Sequence, residues 1–336
     1  MTAKSQFGRT NARGEALLRS SIVWDNHGCM PLRADDSFLP QLERYRQSGV
    51  SLVSLNAGFA DISVLEHLRV LSYMRRWISQ HSDTCGLVST VEDVLRCKAD
   101  GKLGVVFDIE GMCPVQDDIS LVQTFYELGV RWMLIAYNRN NKAGGGCLDS
   151  DGGLTDVGRA IIDEMERVGM VLCLSHAGAR TVADALEYVR NPPIFSHSNP
   201  YGDNPHPRNV QDDLIRACAR KGGVFGLSGI GSFLGTRIDL VNRLVRQLLY
   251  VIDLTGPDHV GLGLDYVFDA SELEAYVRSK PSLFAPSSMS AGPRATIEPE
   301  AIGDIVERLL KENMTDDQVR GILGQNWLRV ARAVWR

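Results

Sequence analysis

The chain has 336 residues, 44% of them hydrophobic, and its 36 basic and 41 acidic side chains leave a formal net charge of −5. Acids and bases are interspersed, so no basic face exists for nucleic acid or anionic lipid, and a small-molecule substrate is expected. No segment approaches the ~18 apolar residues of a membrane span, and Met1 to Ala16 lacks the apolar stretch of a signal peptide, so the expectation is a cytoplasmic protein with no membrane partner.

The length suits one large domain, and the expected organisation is a single barrel over 1–336, with a polar N-terminal extension (1–19) and C-terminal helices (299–336). A first strand is expected at 22–24, then a short helix at 39–48 closed by Gly49. A strand at 50–55 precedes a helix over 62–81, where Leu65, Leu68, Leu71, Met74 and Ile78 recur at three- and four-residue steps. Thr90-Val-Glu-Asp opens another helix with a capping-box signature.

Strands at 103–109 and 130–136 flank a helix at 120–128. The Gly-rich stretch 138–153 follows, read as a lid or substrate loop. Helix and strand then alternate: helix 155–168, strand 170–174, helix 180–189 and strand 194–195. After a polar loop at 199–209 come helix 214–221, strand 224–227, helix 238–254 and strand 259–262. An irregular stretch at 282–293 leads to helices at 301–311 and 316–335.

The apolar runs end in polar residues able to bind a metal or a substrate: His27, Asn56, Glu110, Tyr137, His176, His197, Ser228 and Asp265. Parallel strands buried on both faces read as continuous apolar runs, and in a barrel of eight such strands the catalytic groups stand at the strand C-termini. The expected fold is therefore an α/β (β/α)8 TIM barrel of the metallo-dependent hydrolase type. A doubly wound open sheet is the alternative, but no GxGxxG follows an early strand.

His27 and Cys29 fall on one side of an extended chain and are both zinc-ligand types, although so short a pair also describes a satisfied histidine beside a buried thiol. Glu110 is a carboxylate with no packing reason to end a strand; it fits a metal or an ion pair with arginine. The strongest local signal is the repeat Leu174-Ser175-His176 and Phe195-Ser196-His197, which brings two imidazoles together at the ends of consecutive strands. Asp265 fits proton transfer or turn capping, and Arg208 fits a substrate carboxylate or a solvated loop. His67 and His81 fall on a helix, His259 lies at the stability end of the barrel, and His206 is expected to face solvent. The seven cysteines, Cys29, Cys85, Cys97, Cys113, Cys147, Cys173 and Cys218, are odd in number with no CxxC pair, and read as reduced thiols.

Asp25-Asn26-His27-Gly28-Cys29-Met30-Pro31, Asp108-Ile109-Glu110-Gly111, Gly153-Leu154-Thr155, the two Ser-His blocks, Arg208-Asn209-Val210 with Asp212-Asp213, and Gly261-Leu262-Gly263-Leu264-Asp265 together resemble, in order, the renal or membrane dipeptidase family of zinc peptidases. The resemblance covers nearly the whole chain. It implies two zinc ions bridged by Glu110, one held by His27 and the residue two beyond it, the other by His176 and His197. It also implies that Arg208 grips the substrate's C-terminal carboxylate and that Asp265 handles the proton. Cleavage of dipeptides is the implied activity, and a homodimer is expected by analogy with the family alone.

Two positions depart from the family pattern: Cys29 stands where His-x-Asp is usual, and Tyr137 stands where a histidine usually polarises the scissile carbonyl. A thiolate ligand would favour zinc over manganese or magnesium and weaken its Lewis acidity, leaving one or two zinc ions open. The leading expectation is a metal-dependent hydrolase of a dipeptide or related small amide, with Tyr137 orienting the carbonyl and Asn56 among the substrate contacts. The alternatives are a mononuclear or metal-free barrel enzyme that depends on Cys29, and a non-catalytic binding homologue.

Overall fold

The computed structural model describes residues 10–31, 33, 35–284 and 295–336. Ten strands form one parallel sheet: β1 (Trp24–Cys29), β2 (Leu52–Phe59), β3 (Cys85–Leu87), β4 (Leu103–Glu110), β5 (Val130–Leu134), β6 (Val171–Cys173), β7 (Ile194–Ser198), β8 (Val224–Leu227), β9 (Val260–Leu262) and β10 (Tyr266–Val267). Eight of them run β1-β2-β4-β5-β6-β7-β8-β9, and β9 closes the ring by pairing Leu262 with Asp25 of β1. Helices lie between successive strands, so the architecture is the expected (β/α)8 barrel.

Strand β4 shows why such runs read as continuously apolar. Val105, Phe107 and Ile109 join the large cluster that packs against the helices. Val106 points the other way, into the smaller cluster with Trp24, Trp132 and Trp327. The period of two then puts Asp108 and Glu110 above Val106 on the inner face, where both approach His27. Trp327 plugs the bottom of this inner cluster, its Nε1 donating to the Leu262 carbonyl at 3.1 Å. Gly226 and Gly261 make room for it: a Cβ on either would lie 2.8 and 2.5 Å from the indole, closer than real Cβ contacts.

Local signals set the helix ends. Ser63 and Thr90 each form a capping box, with Glu66 and Asp93 respectively, and Gly49 takes a left-handed φ of 86° after the helix Leu42–Gln47.

Several boundaries differ from those expected. The first strand continues through Asp25, Asn26 and His27, because the barrel interior satisfies polar groups that would be costly elsewhere. Strands β3 and β10 are additional: the first pairs with the start of β4, the second with Gly28 and Cys29 of β1. They are too short to carry a period. Part of the expected polar extension is the helix Ala12–Ser20, whose Leu17 and Leu18 are buried and whose N-terminal Asn11 donates to Glu307. The expected helix 316–335 breaks into Asp316–Arg320, Gly321–Gln325 and Asn326–Val334, because Gly324 is extended where it lies against the Ile22 carbonyl.

The Gly-rich stretch after β5 is a wall rather than a loose cover. Residues 143–146 are buried, and Gly145 donates to Thr181 Oγ1 at 2.8 Å. Residues 1–9 and 285–294, the latter holding most of the expected irregular stretch, lie outside the described residues. No described helix is long and apolar enough to cross a membrane, and no disulfide joins the seven cysteines.

Candidate active site

The strand C-termini converge on a cavity whose walls include Glu110, Tyr137, His176, His197, Arg208 and Asp265. At its base Glu110 Oε1 lies 3.1 Å from His197 Nε2, 3.2 Å from His176 Nε2 and 3.8 Å from His27 Nε2. The two imidazoles of the Ser-His repeat face each other, Nε2 to Nε2, at 2.9 Å. All four residues are buried. Donor atoms of His27, Glu110 and His197 lie within 4.8 Å of one another, and His176 adds a fourth at the distances just given.

Each ring is aimed by a polar partner on its other nitrogen. His27 Nδ1 donates to Asp108 Oδ2 at 3.3 Å, and Ser54 and Asn56 hold that carboxylate at 2.8 and 3.0 Å. His176 Nδ1 lies 2.7 Å from Asn138 Oδ1. Because Asn138 Nδ2 donates to the Leu283 carbonyl, its oxygen must face the histidine, so His176 carries its proton on Nδ1 and turns a lone pair inward. His197 Nδ1 is held by Ser196 Oγ at 2.8 Å. A hydrogen-bond partner on the far ring nitrogen fixes the orientation of a metal-ligating histidine.

The inward Nε2 of His176 is thus an acceptor, and the Glu110 Oε1 it faces has no hydrogen-bond partner though it is buried. Buried lone pairs at this spacing need a positive charge between them. Imidazole nitrogens and a carboxylate oxygen are the donors a divalent transition metal takes, so these residues fit a metal ion.

The electrostatics agree. Burial pushes the Glu110 carboxyl up to about 8, with Asp108 and Asp265 adding to the effect. Burial disfavours the His27 cation, yet Asp108, Glu110 and Asp265 outweigh it and raise His27 to about 10. His176 and His197 are held well below the usual histidine range by burial, together with the positive charges of Arg208 and His27.

Asp265 stands beside the cluster, Oδ1 3.6 Å from His27 Nε2, and Ser228 Oγ donates to its Oδ2 at 3.4 Å. Backbone straps hold it there: Asp265 N–H donates to the His27 carbonyl, and Leu264 N–H to Asp25 Oδ1. Asp265, His176 and Asn138 all adopt left-handed backbone, at φ 59°, 66° and 59°. Such conformations cost energy for residues other than glycine and persist where the surroundings over-determine them.

Arg208 is 5% exposed, donates to Ser198 Oγ and the His197 carbonyl, and leaves Nε without a partner. Among the described residues no carboxylate forms an ion pair with it. Tyr137 stacks on the His176 ring with centroids 4.3 Å apart.

Three residues sit differently from expectation. Asn56 is buried with its amide on Asp108, away from the cavity walls, so it holds the group that aims His27 instead of meeting a substrate. Cys29 reaches the cavity wall, but its side chain packs on Ile230, Phe233 and Val267, and its sulfur is not in the donor cluster. His206 is buried on the cavity wall, not solvent-facing; its Nδ1 accepts from Arg208 N–H, and burial beside Arg208 pushes it down to about 4.

Asp108, quoted above only as part of a motif, and Asn138 were given no role from the sequence. Asp108 carried a signal, a carboxylate two residues before Glu110 and so on the same strand face.

Fold and cluster together define a class, the (β/α)8 barrel of the metallo-dependent hydrolase type. The model of the membrane dipeptidase family, peptidase family M19, matches residues 12–279, and the chain belongs to that family.

Relatives include an uncharacterized dipeptidase of Schizosaccharomyces pombe, 27% identical over 277 residues, 80% of this chain and 62% of that protein. Another is dipeptidase verJ of Clonostachys rogersoniana, 28% identical over 284 residues, 84% of this chain and 66% of that protein. The chain spans less than two thirds of the length of these relatives. An amidohydrolase from Pseudomonas aeruginosa superposes with a TM-score of 0.87 at 26% identity, covering 96% of this chain and 99% of that one. A metallopeptidase from Rhodobacter sphaeroides, liganded with a phosphinate mimic of the dipeptide L-Ala-D-Ala, shares the fold at a TM-score of 0.76 and 19% identity, covering 94% and 100%.

Proposed function

We propose that the protein is a zinc-dependent hydrolase that cleaves a dipeptide or a related small amide. The observation that carries the reading is the convergence of three Nε2 atoms on the partnerless Oε1 of buried Glu110.

Glu110, His27, His176 and His197 would hold one or two zinc ions. When bound, zinc supplies Lewis acidity and makes a water acidic enough to lose a proton near neutral pH. Arg208 binds the substrate's carboxylate: its buried guanidinium has donors in a planar fork and no anion of its own. That contact orients the amide across the cavity.

Tyr137, fixed by stacking on His176, donates a hydrogen bond to the carbonyl oxygen as charge develops there. Asp265 takes the proton from the attacking water and passes it to the leaving nitrogen, the role its place beside His27 and its tie to Ser228 suit.

Metal analysis of the purified protein, combined with amino-acid release from a dipeptide panel, tests the reading. The expected result is at least one zinc per chain and turnover abolished by chelation; a metal-free protein with no turnover rejects it.

A further inference from the structure

Beside the cavity over Glu110 lies a second pocket, and the two share Cys29, Phe59, Val267 and Leu273 as walls. Met30, Pro31, Asp269, Glu272 and Tyr276 complete its lining. Cys29 stands at the junction. Its side chain packs against Ile230, Phe233 and Val267, whereas the clustered donors belong to His27, Glu110 and His197. A register shift between Asp25 and Gly28 interrupts regular alternation just before it.

Asp269 and Glu272, at the pocket's edge, each lie 3.3 Å from Arg33, which also pairs with Asp35. Away from that edge, Cys29, Met30, Phe59, Val267, Leu273 and the Tyr276 ring offer a ligand sulfur, aromatic and aliphatic surface.

The barrel order decides which end of a substrate meets it. Arg208 follows β7, while Cys29 and Phe59 end β1 and β2, and β7 stands four strands from β2 in the ring of eight. A molecule with its carboxylate on Arg208 and its amide over Glu110 therefore projects its other end toward this pocket.

We propose that Cys29 is a specificity-determining wall and not a metal ligand, and that the side pocket takes a large apolar side chain from the residue on the N-terminal side of the scissile amide. This rests on the hydrolase reading above, which supplies the substrate's orientation.

The test compares Phe-Gly with Gly-Gly. The wild type is expected to prefer Phe-Gly in kcat/KM, and Leu273→Trp, which fills the pocket, to lower that ratio by ~10-fold or more. An unchanged ratio overturns the pocket while leaving hydrolysis standing. The cobalt-loaded wild type is expected to lack a thiolate-to-metal charge-transfer band, and Cys29→Ala to keep the wild-type metal content. Such a band, or metal loss in that variant, overturns the assignment of Cys29. Neither the wild-type preference nor the cobalt spectrum depends on the folding of a variant.

If no dipeptide is cleaved the hydrolase reading itself fails, and calorimetry on the metal-loaded wild type then decides the pocket. Tighter binding of Phe-Gly than Gly-Gly upholds it; equal or absent binding overturns it.

Discussion

Glu110 Oε1 and His176 Nε2 lie 3.2 Å apart inside the barrel, and the histidine, its proton committed to Asn138, has only a lone pair to offer. Two such atoms can share a proton or a metal. That choice makes the centre sensitive both to substitution and to pH.

Replacing Glu110 by Gln removes the negative charge but keeps the shape. Metal affinity is expected to fall by more than ~100-fold, beyond the typical loss when only the hydrogen-bond partner of a ligand is changed. The metal-free variant is expected to melt no lower than metal-free wild type at neutral pH, because folding there must protonate a Glu110 carboxyl that is ionised in the unfolded chain, a cost Gln does not bear. Elemental analysis and calorimetric melting read the two effects separately.

Metal binding is expected to release protons. In the metal-free protein His27 is raised to about 10 and Glu110 to about 8, so both hold protons at neutral pH that a metal must displace; His176 and His197, held low, contribute none. Apparent affinity therefore rises with pH. The rise is about ten-fold per pH unit for each proton displaced, the Glu110 share ending above about 8 and the His27 share above about 10. Titrations in buffers of different ionisation enthalpy count the protons, and an affinity that falls between pH 6 and 8 contradicts this account.

Asp108→Asn leaves the ligands in place but weakens the grip on His27 Nδ1. A loss of ~10–100-fold in metal affinity is expected, typical for the partner of a ligating histidine. Equilibrium competition with a chelator measures it, and unaltered affinity would mean that Asp108 serves only packing.

Arg208→Ala is expected to cost about 2–5 kcal/mol in kcat/KM for free dipeptides, the cost of unpairing a buried charge from its partner. A dipeptide amide, which has no carboxylate, should lose far less. Equal losses on both substrates would assign Arg208 a structural role.

Gly261→Ala pushes a methyl against the Trp327 indole at the bottom of the barrel. Overpacking there is expected to cost about 1–3 kcal/mol of stability, with metal affinity retained. Denaturant unfolding with and without metal separates the two, and a neutral effect would mean that the tryptophan can move aside.

The linear order of residues by itself determined the barrel and most of the mouth. Eight apolar runs separated by helical periods leave little choice but a closed parallel sheet, and a polar residue placed just past such a run stands where the strands open; His27, Glu110, His176, His197 and Asp265 were legible for that reason. Strands β3 and β10 escaped because two or three residues carry no period.

The direction of individual side chains was decided only by the tertiary structure. Asn56 ends an apolar run as His27 does, yet turns to Asp108; Cys29 lies two residues from His27, yet packs on Phe233; His206 sits in a polar loop, yet is buried beneath Arg208. Alternation predicts where a side chain points only while a strand stays regular. At this rim a register shift in β1 and the left-handed turns at Asn138, His176 and Asp265 interrupt it, so orientation there follows from contacts between segments far apart in the chain.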